Sequence, residues 1–136
     1  MNSLTIFEQA IRSLPDDRTL RRDELWTNDF LLQQENELTV YYSPIGEYVN
    51  TEAKVVIIGI TPGFEQMRIA FEEATDALHH GVSLEETERL VKYTASFAGT
   101  MRRNLVQMLD TLELPALLGI ETTASLFHQH LSLIHI

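Results

Sequence analysis

A five-residue turn, Gly59-Ile60-Thr61-Pro62-Gly63, has the residue types best suited to binding a small ligand. It follows an apolar run over residues 55–58 and precedes a helical pattern that begins at Phe64. Pro62 lacks the N–H that a strand needs and Gly63 tolerates positive φ, so the chain must turn here. A strand, a Gly/Pro turn and a helix start form the crevice in which open α/β sheets bind ligands.

A second candidate segment is Phe97-Ala98-Gly99, which leads into a helical pattern carrying Arg102 and Arg103 in its first turn. The helix dipole disfavours cations at that end, so a neighbouring anion such as a phosphate would account for the two arginines. Two alternatives stay open, because surface arginines need no ligand and Phe97 fits a hydrophobic core equally well.

The run over residues 55–59 is the strongest strand signal in the chain. It is β-branched and has no polar alternation, which is typical of a strand with both faces covered in a parallel sheet. The sequence therefore predicts a central strand at 55–59, with a shorter strand at 38–42 and a second parallel strand at 123–127.

Helical spacing of apolar residues predicts the remaining elements. Helices are expected over residues 4–14, 64–78, 84–94 and 101–112, with a weaker one within 16–30 where Trp26 would be a packing anchor. A capping box formed by Ser83 and Glu86 marks the start of the third of these helices. Strands that alternate with helices predict the α/β class, as a three-layer α/β/α sandwich with a short, mainly parallel sheet.

Length and charge limit the other possibilities. The 136 residues predict a single domain over 1–130, and the net charge of −10 argues against attachment to nucleic acid through a general positive field, although a local basic patch remains possible. Residues 131–136 resemble a translated sequencing-adaptor tail, so we exclude them and expect the domain to be incomplete at its C-terminus.

Cysteine is absent, which excludes a disulfide framework and cysteine-held metal or iron–sulfur centres. Adjacent His79 and His80 point apart on a helix, and His128 and His130 lack an evident third ligand, so neither a metal nor a cofactor is expected. With no long apolar run, the sequence predicts no signal peptide and no membrane span. The absence of cysteine suits a reducing cytoplasm, and a monomer is expected.

The order of the two motifs, residues 55–63 and then residues 97–109, resembles the uracil-DNA glycosylase superfamily. In that family a hydrophobic strand ends in a G-x-x-P-G or G-x-D-P-Y loop, and a later F-x-G leads into a helix. The resemblance covers roughly residues 53–114. It implies base-excision DNA repair, in which a deaminated base is flipped from DNA and its N-glycosidic bond is hydrolysed.

By that resemblance each candidate residue has an expected role. Thr61 would be catalytic, although active relatives carry aspartate or asparagine at its position and a hydroxyl is too weak a base to replace a carboxylate. Ile60 stands where another branch carries glutamate, and the family's C-terminal histidine loop has no counterpart. Base-binding residues would be Gly59, Ile60, Pro62, Gly63, Phe64 and Phe97, and the phosphate-binding residues would be Arg102 and Arg103.

Three functions therefore stay open. The chain could be a glycosylase acting on DNA that contains a damaged or deaminated base. It could instead be a catalytically inactive nucleobase- or nucleotide-binding module, or a truncated fragment without activity of its own. If the resemblance holds, Thr61 and Phe97 should face one pocket.

Overall fold

The computed structural model describes residues 3–53 and 55–127 and is mostly helical. Its helices are α1 (Ser3–Arg12), α2 (Arg22–Leu25), α3 (Phe64–His79), α4 (Leu84–Ala95), α5 (Thr100–Thr111) and α6 (Leu114–Leu118). Short 3-10 helices lie at Asn28–Phe30, Pro44–Gly46 and Thr123–Phe127. Two strands, β1 (Leu31–Glu35) and β2 (Leu38–Tyr41), complete the elements.

The predicted helix starts agree with local sequence signals. The Ser83 hydroxyl accepts a hydrogen bond from the Glu86 N–H at 3.3 Å, which satisfies a free donor in the first turn of α4. Gly63 caps α3, and its carbonyl accepts the Met67 N–H at 3.0 Å. The helices predicted from apolar spacing at the start of the chain and over residues 64–78, 84–94 and 101–112 are thus present as α1, α3, α4 and α5.

Strands β1 and β2 form an antiparallel hairpin, with Glu35 opposite Leu38 and Leu31 opposite Tyr41. Asn36 takes a φ of +52° in the two-residue connection, a conformation that asparagine tolerates better than most residues. The hairpin confirms the predicted strand at 38–42, but β1 was not foreseen because its sequence is mainly polar. Glu37 is the second residue of this connection.

The main core forms between α3, α4, α1 and the segment from α2 to the Pro44–Gly46 turn. Phe71 of α3 is fully buried, and its ring contacts Phe30 at a centroid distance of 4.6 Å. Burial of large apolar side chains of this kind contributes roughly 1.5–3 kcal/mol each, so this cluster stabilises the N-terminal two thirds of the described chain.

A second, smaller hydrophobic cluster lies around Leu126 and Phe127, with partly buried residues from α5, α6 and residues 55–57 packed against it. Asp110 of α5 anchors the nearby turn, because its carboxylate accepts hydrogen bonds from the Thr122 hydroxyl at 2.6 Å and the Thr123 N–H at 2.8 Å. These bonds hold the pKa of Asp110 below its usual value, the Thr122 hydroxyl having the largest effect.

The predicted α/β/α sandwich is wrong. Within the described residues the sheet has only the two antiparallel strands β1 and β2, and residues 55–59 form no strand. The predicted strand at 123–127 is instead the 3-10 helix Thr123–Phe127, fixed by its hydrogen bonds to Asp110. A β-branched run fits a strand, but it becomes one only where another strand pairs with it.

None of the helices that the structure describes combines the length and the apolar character that crossing a bilayer requires. His128, His130 and the adaptor-like residues 131–136 lie outside the described residues.

Candidate functional site: an aromatic cleft

A cleft of about 770 Å³ opens between the hairpin, the end of α2 and the turn before α3. We name it the aromatic cleft. Its volume lies in the range of small-molecule sites. The lining residues are Trp26, Glu37, Leu38, Thr39, Val40, Tyr41, Ile60, Thr61, Pro62, Phe64 and Met67.

Three rings give the aromatic cleft flat walls. The indole of Trp26 lies parallel to the ring of Tyr41, with 4° between the planes and 6.0 Å between centroids. Phe64 meets Trp26 edge to face, at 6.0 Å and 84°. Trp26 keeps 44% of its surface exposed, so a large aromatic face remains available to a ligand.

Arg22 adds a cation beside these rings. Its guanidinium carbon lies 4.6 Å from the centroid of Trp26 and 4.8 Å from that of Phe64, both within cation–π distance. Among the described residues, no carboxylate lies within ion-pair distance of this guanidinium. The positive charge is therefore held at the rings and is not neutralised by a described acidic side chain.

Polar groups of the aromatic cleft are few. The Thr61 hydroxyl donates a long hydrogen bond of 3.4 Å to the carbonyl of Pro62, so it can turn toward a ligand at little cost. Glu37 supplies the carboxylate among the lining residues, from the connection between β1 and β2. A mainly apolar wall with a few polar groups is typical of sites that bind flat organic ligands.

Gly63 of this turn packs closely against the side chain of Gln66. A Cβ at this position would meet the Gln66 side-chain oxygen at 2.8 Å, which is too close for an ordinary contact. The Gln66 side chain is buried and its Nε2 donates to the carbonyl of Ala98 at 3.3 Å. Gln66 thus joins the start of α3 to the segment before α5.

The structure brings four of the sequence-predicted residues together in the aromatic cleft: Ile60, Thr61, Pro62 and Phe64. Gly59 precedes them in the chain and Gly63 lies between Pro62 and Phe64, but neither glycine is a lining residue. Phe97 is not part of the cleft, because it packs in the second hydrophobic cluster with its ring 6.3 Å from that of Phe127. Thr61 and Phe97 therefore do not share this cleft.

The F-x-G segment has a structural explanation. Phe97 has a φ of +53° and Gly99 has a φ of +82° with ψ of −141°, so the chain reverses sharply between α4 and α5. The conformation at Gly99 is essentially restricted to glycine.

Arg102 turns back onto the end of α4. Its guanidinium donates to the carbonyls of Tyr93 at 2.8 Å, Thr94 at 2.9 Å and Ser96 at 2.6 Å. It also lies 4.9 Å from the ring centroid of Phe127. These contacts account for Arg102 without a phosphate, and burial lowers the pKa of its guanidinium.

Arg103 is exposed and donates to the hydroxyl of Thr100 at 3.1 Å. Neither it nor Arg102 lines the aromatic cleft.

Sequence reasoning missed Trp26 and Tyr41 as site residues. Trp26 was assigned to packing and Tyr41 to a strand, and nothing local indicates that their rings meet across fifteen positions of the chain. Composition offers only the general enrichment of tryptophan and tyrosine at binding hot spots, which does not place either residue at a site.

Two histidines are explained by local partners. The His79 ring contacts the carbonyl of Arg12 at 2.8 Å and the carboxylate of Asp16 at 2.6 Å, and these acceptors raise the pKa of His79, the carbonyl having the larger effect. His80 contacts the carbonyl of Asp76 at 2.9 Å. No group of three or more acidic or histidine side chains within residues 3–53 and 55–127 is placed to hold a metal ion.

Lys92 of α4 is an unusual buried cation. Only 2% of its surface is exposed, and its Nζ has no hydrogen-bond partner among the described residues. Burial lowers the pKa of Lys92 to about 8, and burial of the Tyr42 phenol raises the pKa of that group.

No protein-family model matches the chain. No solved structure matches it. It is similar to an uncharacterized protein, YoxB, of Bacillus subtilis (strain 168), with 43% identity over 129 residues. The matched region includes 95% of this chain and 50% of YoxB, so the chain spans about half the length of this curated relative.

Proposed function

We propose that the chain binds a nucleobase, carried on a nucleotide, in the aromatic cleft. The observation that supports this proposal most is the arrangement of Trp26, Tyr41 and Phe64 around the Thr61-Pro62 turn. A base has two apolar faces and a polar edge, and these match a stacking surface beside a hydroxyl and backbone groups. Stacking of one base on aromatic side chains contributes roughly 1–3 kcal/mol.

The charges favour a small nucleotide as ligand. The chain has a formal net charge of −10, which repels a long polyanion. Arg22 is a local exception, since its guanidinium lies at the rings without a described carboxylate partner. A single phosphate near Arg22 would gain this one favourable interaction. Because the ligand is small, it would not extend over the acidic side chains elsewhere on the surface, which would repel it.

Trp26 is the single tryptophan of the chain, so its fluorescence reports directly on the aromatic cleft. The test is a titration of this fluorescence with uridine 5′-monophosphate and adenosine 5′-monophosphate. The control ligand is ribose 5-phosphate, which has the sugar and phosphate but no base. We expect saturable quenching by the nucleotides alone. Equal responses to all three ligands, or no saturable response to any, would exclude nucleobase recognition in this cleft.

A second candidate function is the glycosylase activity that the sequence resemblance implies, with DNA containing a deaminated base as substrate. The observation in its favour is Glu37, a carboxylate on the lining of the same cleft that holds Thr61. A carboxylate can polarise an attacking water in a way that a threonine hydroxyl cannot.

This second proposal predicts release of free uracil from a uracil-containing single-stranded oligonucleotide. Glu37→Gln should abolish the release while leaving nucleotide quenching of Trp26 intact. Glu35→Gln, on the adjoining strand and outside the lining, is the matched control. If the parent protein releases no uracil but binds nucleotides, binding without excision is the better description.

A further inference from the structure

The apolar segment at residues 55–60 has one packed face and one exposed face. Val55 and Ile57 pack against the second hydrophobic cluster. The intervening side chains point outward, with exposed fractions of 47% for Val56, 73% for Ile58 and 104% for Ile60. Such alternation with a period of two is that of an extended chain.

The backbone of this segment is unpaired. Within residues 3–53 and 55–127, no backbone hydrogen bond joins residues 55–60 to another residue, and the described sheet contains only β1 and β2. An extended, apolar and unpaired stretch is a ready template for the addition of another strand. We name it the 55–60 edge.

Exposure of the 55–60 edge is costly in water. Three β-branched side chains in a row on one face keep about half or more of their surface in solvent, which soluble chains rarely retain without a covering partner. A lone exposed leucine or isoleucine would need no such explanation.

A second apolar surface lies on α5, whose Leu105 and Val106 pack against the same second hydrophobic cluster as Val55 and Ile57. Met101, Met108 and Leu112 are spaced by seven and four residues, so they share one helix face, and each has more than half of its surface exposed. Two adjoining parts of the chain thus present apolar faces that the described residues do not cover.

We propose that the 55–60 edge binds an extended segment from the half of a YoxB-like chain that this chain does not span. The length of YoxB supports this occupant, because 50% of that protein lies outside the matched region while 95% of this chain lies inside it. The chemistry expected of the segment is a β-strand whose alternate apolar side chains contact Val56, Ile58 and Ile60, with its backbone paired to the edge. A second copy of this chain is the competing occupant.

Hydrogen exchange read by mass spectrometry tests the proposal on whole proteins. In this chain the amides of residues 55–60 should exchange rapidly. In intact YoxB the amides aligned with them should exchange about a hundredfold more slowly, as expected for a paired strand. Rapid exchange of the aligned amides in YoxB would overturn the proposal, as would slow exchange in a monomer of this chain.

The oligomeric state in solution distinguishes the competing occupant. If this chain is a dimer whose 55–60 amides are protected, and Ile58→Lys dissociates it, the partner is a second copy and the proposal fails.

In YoxB, a lysine at the position aligned with Ile58 should restore rapid exchange along the edge. The matched control is a lysine at the position aligned with Ile6, which is 62% exposed on α1 and away from the edge. Equal effects of the two lysines would contradict a specific contact.

Ile60 belongs to both the 55–60 edge and the lining of the aromatic cleft, whereas Ile58 belongs to the edge alone. A lysine at Ile58 therefore tests the edge without changing a residue of the cleft.

Discussion

The rings of Trp26 and Tyr41 lie parallel to each other, with 4° between their planes. Trp26 is the C-terminal cap of α2 and Tyr41 is the last residue of β2, so their contact joins the hairpin to the helical N-terminal segment. Phe64 then meets Trp26 from the first position of α3. The aromatic cleft is consequently made by three separate elements, and its shape depends on tertiary packing.

Arg102 should act on stability and not on ligand binding. Arg102→Met removes hydrogen bonds from a cation to three carbonyls at the end of α4, and we expect a loss of about 2–3 kcal/mol in the free energy of unfolding. Arg103→Met is the adjacent control and should change it by less than about 0.5 kcal/mol. Urea denaturation measures both. A stable Arg102→Met protein that no longer binds nucleotide would indicate a phosphate contact instead.

Phe97→Ala should destabilise the second hydrophobic cluster. Loss of a partly buried ring that contacts Phe127 is expected to cost about 3 kcal/mol. At a temperature where the variant remains folded, its nucleotide affinity should equal that of the parent, because Phe97 does not line the aromatic cleft. Phe64→Ala should instead weaken nucleotide binding, because Phe64 lines the cleft. If Phe97→Ala alone weakens binding in a folded protein, Phe97 is part of the site.

Because Lys92 is buried, we expect the free energy of unfolding to depend on pH in the alkaline range. Its pKa is about 8 in the folded chain and near the ordinary 10.5 in the unfolded chain. Between these values the unfolded state binds more protons, so the free energy of unfolding should rise with pH. The full difference corresponds to about 3 kcal/mol. Tyr42 opposes this rise only above its ordinary pKa of 10, because burial raises that pKa in the folded chain.

The measurement compares the parent with Lys92→Met, which keeps a similar side-chain length without the charge. At pH 7 the variant should be more stable by about 3 kcal/mol, and this advantage should shrink as the pH approaches 10. Since His79 titrates in both proteins, its effect cancels in the difference between their free energies of unfolding, and that difference reports on Lys92. A difference that is constant with pH would show that Lys92 is protonated throughout.

Local signals predicted α1, α3, α4 and α5, whereas the short helix α6 was not predicted. The Ser83–Glu86 capping box and the apolar stripe of α3 each specify an element within a few residues, and both appear as expected. The strand predicted at 55–59 failed for a different reason. Its composition favours an extended chain, but a strand is defined by a partner, and no local pattern reveals whether that partner is present.

The candidate site was predicted only in part. Ile60, Thr61, Pro62 and Phe64 could be found because a Gly/Pro turn between an apolar run and a helix is visible in the sequence. Trp26, Tyr41 and Glu37 could not, since they reach the cleft through the hairpin and the end of α2. Phe97 was misplaced because its F-x-G segment serves a sharp reversal between helices.

The most direct test of the aromatic cleft is the affinity of uridine 5′-monophosphate for the parent, Tyr41→Ala and Tyr48→Ala proteins, measured by calorimetry. Tyr48 is the matched control because its ring pairs with Tyr93 and does not line the cleft. Loss of stacking should weaken binding to Tyr41→Ala about tenfold or more, while Tyr48→Ala should bind as the parent does. Equal affinities of the parent and a folded Tyr41→Ala protein would contradict nucleobase binding in the aromatic cleft.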